Sequence, residues 1–166
     1  MTVRVPISIA PPGDAADYEA IKDLFVEYAE SLGFSLAYQD FAAELASFPG
    51  KYAPPTGALL LARAQGAPAG AVALRQLQPD ICEMKRLYVR PSCRALRTAE
   101  GQSIGRALAL GIVVQARALH YRRLRLDTIA GKMAAAVKLY RSMGFVEIPA
   151  YYPSPIPDTA YMELVL

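Results

Sequence analysis

Two glycines, Gly101 and Gly105, stand in the segment Glu100-Gly101-Gln102-Ser103-Ile104-Gly105-Arg106, between a strand-like run that stops at Pro91 and a long apolar helical run. A strand feeding a glycine-containing turn that opens a helix gathers unpaired backbone N–H groups and the positive end of the helix dipole at one point. Such a point attracts a phosphate. Gly105 serves equally well for close helix packing, so the pair alone leaves both readings open. Arg94, Arg97 and Arg106 stand near enough in sequence to add positive charge.

Other reactive residue types are sparse. Cys82 and Cys93 lie in no spacing that signals a metal or a redox pair, and they read as reduced thiols. Neither has a histidine nearby in sequence, which argues against a cysteine nucleophile. His120 is the single histidine and falls at a helix C-terminus, where a cation suits the dipole, so no catalytic role is expected of it. No metal is implied.

The elements that must position the turn follow from hydrophobic spacing and breakers. Val3 to Ala10 reads as an opening strand, and after Pro11, Pro12 and Gly13 the carboxylate of Asp14 caps a first helix. Tyr18, Ile21, Phe25, Tyr28 and Leu32 form its inner stripe, and Gly33 ends it. A second helix is expected from Tyr38 to Ser47, with Phe41, Leu45 and Phe48 inward. Strands Ala58 to Ala64 and Gly70 to Leu77 pair through a turn at Gln65, Gly66, Ala67 and Pro68. Ile81 to Arg90 is the next strand. A helix from Gln102 to Leu119 follows, with Ile104, Leu108, Ile112, Ala116 and Leu119 inward. Strand Arg122 to Thr128 and helix Lys132 to Ser142 complete a parallel crossover, Gly144 closing the helix. Phe145 to Ile148 and Thr159 to Leu166 close the chain as strands. The fold class is α/β (α+β): a mixed, mostly antiparallel central sheet with helices on both faces.

The 166 residues, 54% hydrophobic and 20% charged, suit one domain over residues 1–166 that folds unaided. The longest apolar stretches fall far short of the ~20 residues a bilayer requires, and the N-terminus lacks a secretory pattern. A cytoplasmic protein without membrane attachment is expected. A net charge of +3 and a pI of about 8.9 come from basic residues spread between Lys85 and Arg141. Nucleic-acid binders carry a denser patch, and a modest basic zone around an anionic small molecule explains the bias better.

The run Cys82-Glu83-Met84-Lys85-Arg86-Leu87-Tyr88-Val89-Arg90-Pro91, the glycine turn, and Leu139-Tyr140-Arg141-Ser142-Met143-Gly144-Phe145 together resemble the GNAT superfamily of N-acetyltransferases. The resemblance covers almost the whole chain, and the fold it implies is acyl-CoA N-acyltransferase-like. It implies acetyl-CoA as donor, no metal, and direct transfer to a primary amine of a small molecule or amino acid in a ternary complex, with a homodimer compatible. By the same resemblance Leu87, Tyr88 and Val89 hold the pantetheine arm and the acetyl carbonyl, where a backbone N–H acts as an oxyanion donor. Met133 stands where many relatives have an asparagine that bonds the arm, so that contact is either absent or replaced by an apolar one.

The turn departs from the family. Six extra residues, Ala95 to Glu100, follow Arg94; Glu100 replaces the usual Arg or Gln before Gly101; and Ser103 replaces the first inner glycine. In a second register Gln102-Ser103-Ile104-Gly105-Arg106-Ala107 is the family's Gln, two spacers, Gly, spacer, Ala. The first register keeps Ile104 and Leu108 inward and is preferred. Arg94, Gly101, Gln102, Ser103, Ile104, Gly105 and Arg106 are thus the expected pyrophosphate residues.

An acceptor amine like that of lysine has a pKa near ~10.4, so only roughly one molecule in a few thousand is neutral at pH 7. A base is needed. Glu83 occupies the strand position where several relatives carry a catalytic glutamate, and alternation puts it on the face of Lys85 and Leu87; pairing with Lys85 or Arg125 is the competing role. Tyr140, four residues before Gly144, matches the acid that protonates the departing thiolate. Asp127 and Thr128 either line the cleft or cap the next helix and carry no assignment. The tyrosine- and proline-rich segments Tyr38 to Tyr52 and Tyr151 to Asp158 would flank the acceptor's entrance. Two other readings stay open: a non-catalytic coenzyme A sensor or interaction module, and transfer of a longer acyl group or to a protein amine.

Overall fold

The structure, a computed structural model, describes residues 5–166. It contains strands β1 (Ile7–Ala10), β2 (Ala58–Ala64), β3 (Ala67–Gln78), β4 (Ile81–Val89), β5 (Arg123–Ile129), β6 (Val146–Ile148) and β7 (Thr159–Val165). The α-helices are α1 (Ala15–Ser31), α2 (Phe41–Ala46), α3 (Ile104–Ala118) and α4 (Ala134–Ser142). One seven-stranded sheet has the order β1-β2-β3-β4-β5-β7-β6, antiparallel except between β4 and β5. The expected opening strand is shorter than its sequence pattern, and Val3 lies outside the described residues.

Each face of the sheet carries its own core. Ile104, Leu108 and Ile112 of α3, with Tyr140 of α4, pack on Leu74, Cys82, Met84, Leu124 and Leu126. On the opposite face Ile21, Leu24 and Phe25 of α1 pack on Leu59, Leu61, Ala71, Ala73 and Tyr88. β3 is therefore buried on both faces. Asp14 caps α1 as expected, its Oδ1 accepting from Asp17 N at 2.9 Å. The β2–β3 turn is tighter than expected: Gln65 and Gly66, at φ 51° and 81°, form a two-residue loop of the kind that matches strand twist.

Two local departures shape the site. The helix expected from Tyr38 to Ser47 is broken at Asp40, whose φ of 57° separates a short 3-10 turn, Ala37–Gln39, from α2. Within α2 the buried residue is Glu44, not Leu45. In β4, Arg86 has a φ of 61°, and the pairing jumps from Ala73↔Lys85 to Ala71↔Tyr88. One extra residue is accommodated there as a bulge. Consequently Leu87 and Val89 pack toward the α3 core while Tyr88 joins the α1 core. This corrects the alternation argument, since Leu87 does not share a face with Glu83 and Lys85.

β4 and β5 pair only at Ile81↔Arg123, Cys82↔Leu124 and Glu83↔Arg125. Beyond Glu83, β4 stays with β3 and β5 stays with β7. The two strands diverge, and a cleft opens between them.

Candidate active site

The cleft has a volume of about 540 Å³ and runs between the diverging strands from the N-terminus of α3 to the end of α1. Leu87, Tyr88 and Val89 line one side, Met133 and Tyr140 the other, and Arg94, Ser103, Ile104 and Gly105 one end. These expected residues come together. Gly101, Gln102 and Arg106 do not line it: Gly101 turns at φ 83°, and Arg106 Nη1 donates to Ser142 Oγ at 2.9 Å, tying α3 to α4.

The enlarged turn is ordered by its own hydrogen bonds. Gly101 N donates to Thr98 O at 2.9 Å and Thr98 N to Gln102 O at 2.9 Å, while Arg97 bridges Ser103. The inserted residues form a small hairpin that leaves Glu100 exposed and off the cleft wall. Its charge therefore does not oppose an anion. Ser103 needs no positive φ; at φ −65° it caps α3, its Oγ accepting from Arg106 N at 3.2 Å. The amides of Ile104 and Gly105, in the first turn of α3, have no partner within the helix. At Gly105 an added Cβ would lie 3.8 Å from Val89 Cγ2, so this stretch of wall is bare backbone. Free amides, the helix dipole and Arg94 beside them suit a pyrophosphate.

Tyr140 sits in the opposite wall, 6% exposed, its ring 5.7 Å from that of Phe145. Its hydroxyl makes no hydrogen bond among the described residues. Burial, with smaller contributions from Tyr28 and Asp127, pushes its pKa up, so the phenol keeps its proton at neutral pH. Thr128 Oγ1 reaches Met133 Sδ at 3.5 Å, which holds the thioether in place.

The far end of the cleft is polar. Lys85 Nζ lies 3.2 Å from Gln39 Oε1, 3.4 Å from Asp127 Oδ2 and 3.8 Å from Glu83 Oε1. Arg86 Nη1 donates to Gln39 Oε1 at 2.6 Å. Tyr152 Oη donates to Asp127 Oδ2 at 2.6 Å, and Tyr161 Oη to Tyr152 O at 2.6 Å. The loop from Tyr151 is thereby fastened to the end of β5.

Glu83 lies beneath this surface. It is 1% exposed, and it accepts from Arg75 Nε at 2.8 Å and from the Tyr151 hydroxyl. It does not line the cleft. Burial alone would raise its pKa, but the charges of Lys85 and Arg75 and the bond from Tyr151 outweigh that and hold it below the ordinary carboxylate range. Its expected pairing with Lys85 occurs, whereas Arg125 turns to Glu163 at 2.9 Å.

The model of the acetyltransferase (GNAT) family matches residues 18–145. An uncharacterized N-acetyltransferase of Schizosaccharomyces pombe is 39% identical over 160 residues, covering 95% of this chain and 94% of that one. A Streptococcus agalactiae acetyltransferase structure superposes with a TM-score of 0.73 at 20% identity over 96% of this chain and 98% of that one. A Salmonella typhimurium structure that carries acetyl-CoA gives a TM-score of 0.65 at 18% identity, covering 96% and 93%.

The chain belongs to the GNAT family of acetyltransferases.

As a GNAT protein it is an acetyl-CoA-dependent N-acetyltransferase, and its overall fold is shared with those neighbours. Sequence reasoning about this GNAT chain left several cleft residues without a role: Gln39, Lys85, Arg86 and Asp127. Tyr152, which fixes Asp127, was placed only in a general entrance loop. The bulge at Arg86 has no marker in the composition of β4, since nothing but its φ distinguishes it. Cys82 is buried, its thiol pushed up to about 12 by that burial, and it stays inert. His120 is exposed and away from the cleft. Among the described residues no cluster of metal-binding side chains occurs, and no helix is long and apolar enough to cross a membrane.

Proposed function

We propose that this enzyme transfers the acetyl group of acetyl-CoA directly to a primary amine of a small molecule in a ternary complex, acting as one catalytic domain in the cytoplasm. The observation that carries the reading is the cleft itself, which joins the bare amides of α3, the diverging edge of β4 and the unpartnered hydroxyl of Tyr140 in one continuous channel. Ile104 and Gly105, with Arg94, hold the pyrophosphate of the donor; Met133 offers its arm an apolar contact. Backbone of Leu87 to Val89 holds the acetyl carbonyl, and a N–H there stabilises the charge that grows on its oxygen.

Tyr140 serves as the acid. Its buried phenol is protonated at neutral pH, and it donates toward the departing sulfur as negative charge accumulates there. Glu83 is assigned a supporting role instead of that of the base, because a carboxylate with a lowered pKa and engaged oxygens accepts protons poorly. The acceptor attacks as its neutral amine, the C–N bond forming as the C–S bond breaks, and the proton released from nitrogen passes through solvent in the cleft and restores the Tyr140 phenol. It steadies Lys85 and Tyr151 beneath the acceptor.

A free-thiol release assay with acetyl-CoA against amines, amino acids and short peptides tests the proposal. Release with small amines, lost in Tyr140→Phe, is the expected outcome. If no small amine releases thiol while peptides do, the acceptor is a protein amine and the small-molecule reading fails.

A further inference from the structure

We propose that Asp127 and Lys85 read the acceptor as a small zwitterion: Asp127 holds its ammonium group and Lys85 holds an adjacent carboxylate, as an α-amino acid would present them. The inference rests on the acetyl-transfer reading above and narrows its substrate.

Among the described residues Asp127 is the single carboxylate that lines the cleft. Its Oδ2 is fixed by Tyr152 Oη at 2.6 Å and approached by Lys85 Nζ at 3.4 Å. Its Oδ1 accepts no hydrogen bond from any described residue, and no buried side-chain oxygen is left unsatisfied, so this oxygen faces the open cleft. A primary ammonium is the donor that such an oxygen lacks. Charge-assisted bonds of this kind are the strong ones, and they also set orientation.

Lys85 supplies the second half. Its side chain is 8% exposed, yet its ammonium is loosely coordinated, with contacts of 3.2, 3.4 and 3.8 Å where a tight charged bond is shorter. An ammonium so placed has room for an anionic oxygen from the cleft. The two opposite charges stand 3.4 Å apart on one wall, the separation that an ammonium and carboxylate on a shared carbon can span. A plain alkyl amine would satisfy Asp127 but offer Lys85 no anionic oxygen from the cleft. Around the pair Tyr28, Phe34, Leu36 and Tyr38 supply apolar and aromatic lining, which suits an apolar side chain on the acceptor.

The test compares each amino acid with its decarboxylated amine, leucine with isopentylamine and phenylalanine with phenethylamine, by steady-state thiol release. The wild type should favour the amino acid by at least about tenfold in kcat/KM. Lys85→Met should erase that preference while Lys85→Arg keeps it, and Asp127→Asn should lower kcat/KM for both members of a pair by about 100-fold. In every variant the rise in Tm on adding acetyl-CoA should persist, which separates a lost acceptor contact from a misfolded chain. A wild type that prefers the decarboxylated amine, or a Lys85→Met variant that keeps the preference, overturns the proposal. Failure of acetyl transfer itself has a different signature, no thiol release with any amine, and it overturns both.

Discussion

Arg86 Nε and Nη2 donate to the two oxygens of Glu44, each at 3.2 Å, while Tyr52 Oη donates to Glu44 Oε1 at 2.7 Å. Both charged side chains are almost fully buried, at 2% and 3% exposure. This pair pins the short helix α2 to the bulge in β4, and so fixes the wall that carries Gln39 and Lys85. Breaking a buried pair by removing one partner costs far more than an exposed one, because the other charge stays behind. Arg86→Met should therefore destabilise by about 3 kcal/mol, a fall in Tm of roughly 10 °C for a chain of this size. Thermal unfolding followed by circular dichroism measures it. Glu44→Gln, which keeps acceptor and donor atoms in place, should lose less.

Tyr140→Phe removes one hydroxyl and leaves the ring on Phe145. Since the hydroxyl has no protein partner, Tm should hold within about 1 °C, while kcat falls about 100-fold, the low end of a general acid's contribution. The KM for acetyl-CoA should stay close to wild type in the same assay.

Gly105→Ala should separate stability from donor binding. The new methyl meets nothing closer than 3.8 Å, and alanine is favoured over glycine in a helix by about 1 kcal/mol. Tm of the free enzyme should rise slightly. The methyl also projects from the bare wall proposed to hold the pyrophosphate, so calorimetric titration should show acetyl-CoA binding about tenfold more weakly.

Gly70 faces Val89 across the β3–β4 pair, and an added Cβ would come 2.6 Å from the carbonyl oxygen of Tyr88. Backbone must move to admit it. Gly70→Ala should cost about 2 kcal/mol and raise the KM for acetyl-CoA, because the displaced carbonyl belongs to the segment proposed to hold the donor.

Glu83 gives the enzyme an acid limit. Its folded pKa lies below the unfolded value, so its ionised form stabilises the fold above about pH 4.3, and that share is lost as pH falls through the folded pKa. Glu163, held down in the same direction by Arg125 and Arg123 against its burial, adds to the effect. Glu83→Gln should be less stable than wild type at pH 7, and its Tm should fall less steeply below pH 4.3. Parallel Tm profiles for the two proteins would remove Glu83 from the account.

The elements were legible wherever one periodicity ruled a segment. Ile104, Leu108, Ile112 and Ala116 marked α3, and all four are buried. A glycine-bearing turn between two apolar runs marked β2 and β3. That Gly105 and Tyr140 share a cleft was legible through the glycine turn and the motif ending at Phe145. What stayed hidden depends on contacts between distant segments: Glu44 looks like a surface residue of a helix until Arg86 reaches it from 42 positions away, and Asp127 gains meaning only when Tyr152 closes over it. Strand position and alternation offered Glu83 as the base with ion pairing as its competing role, and sequence does not show that Arg75 and Tyr151 converge on it.

The bulge at Arg86 has an evolutionary corollary. Because one extra residue exchanges the faces of β4, Lys85 lies on the opposite face from Leu87 and Val89, which turn toward the α3 core, and all three still line the cleft. A single strand thus carries two independently variable vocabularies. On the proposed assignment, substitutions upstream of Arg86 change the acceptor wall without altering the thioester's proposed seat, and a one-residue deletion at Arg86 would undo that separation.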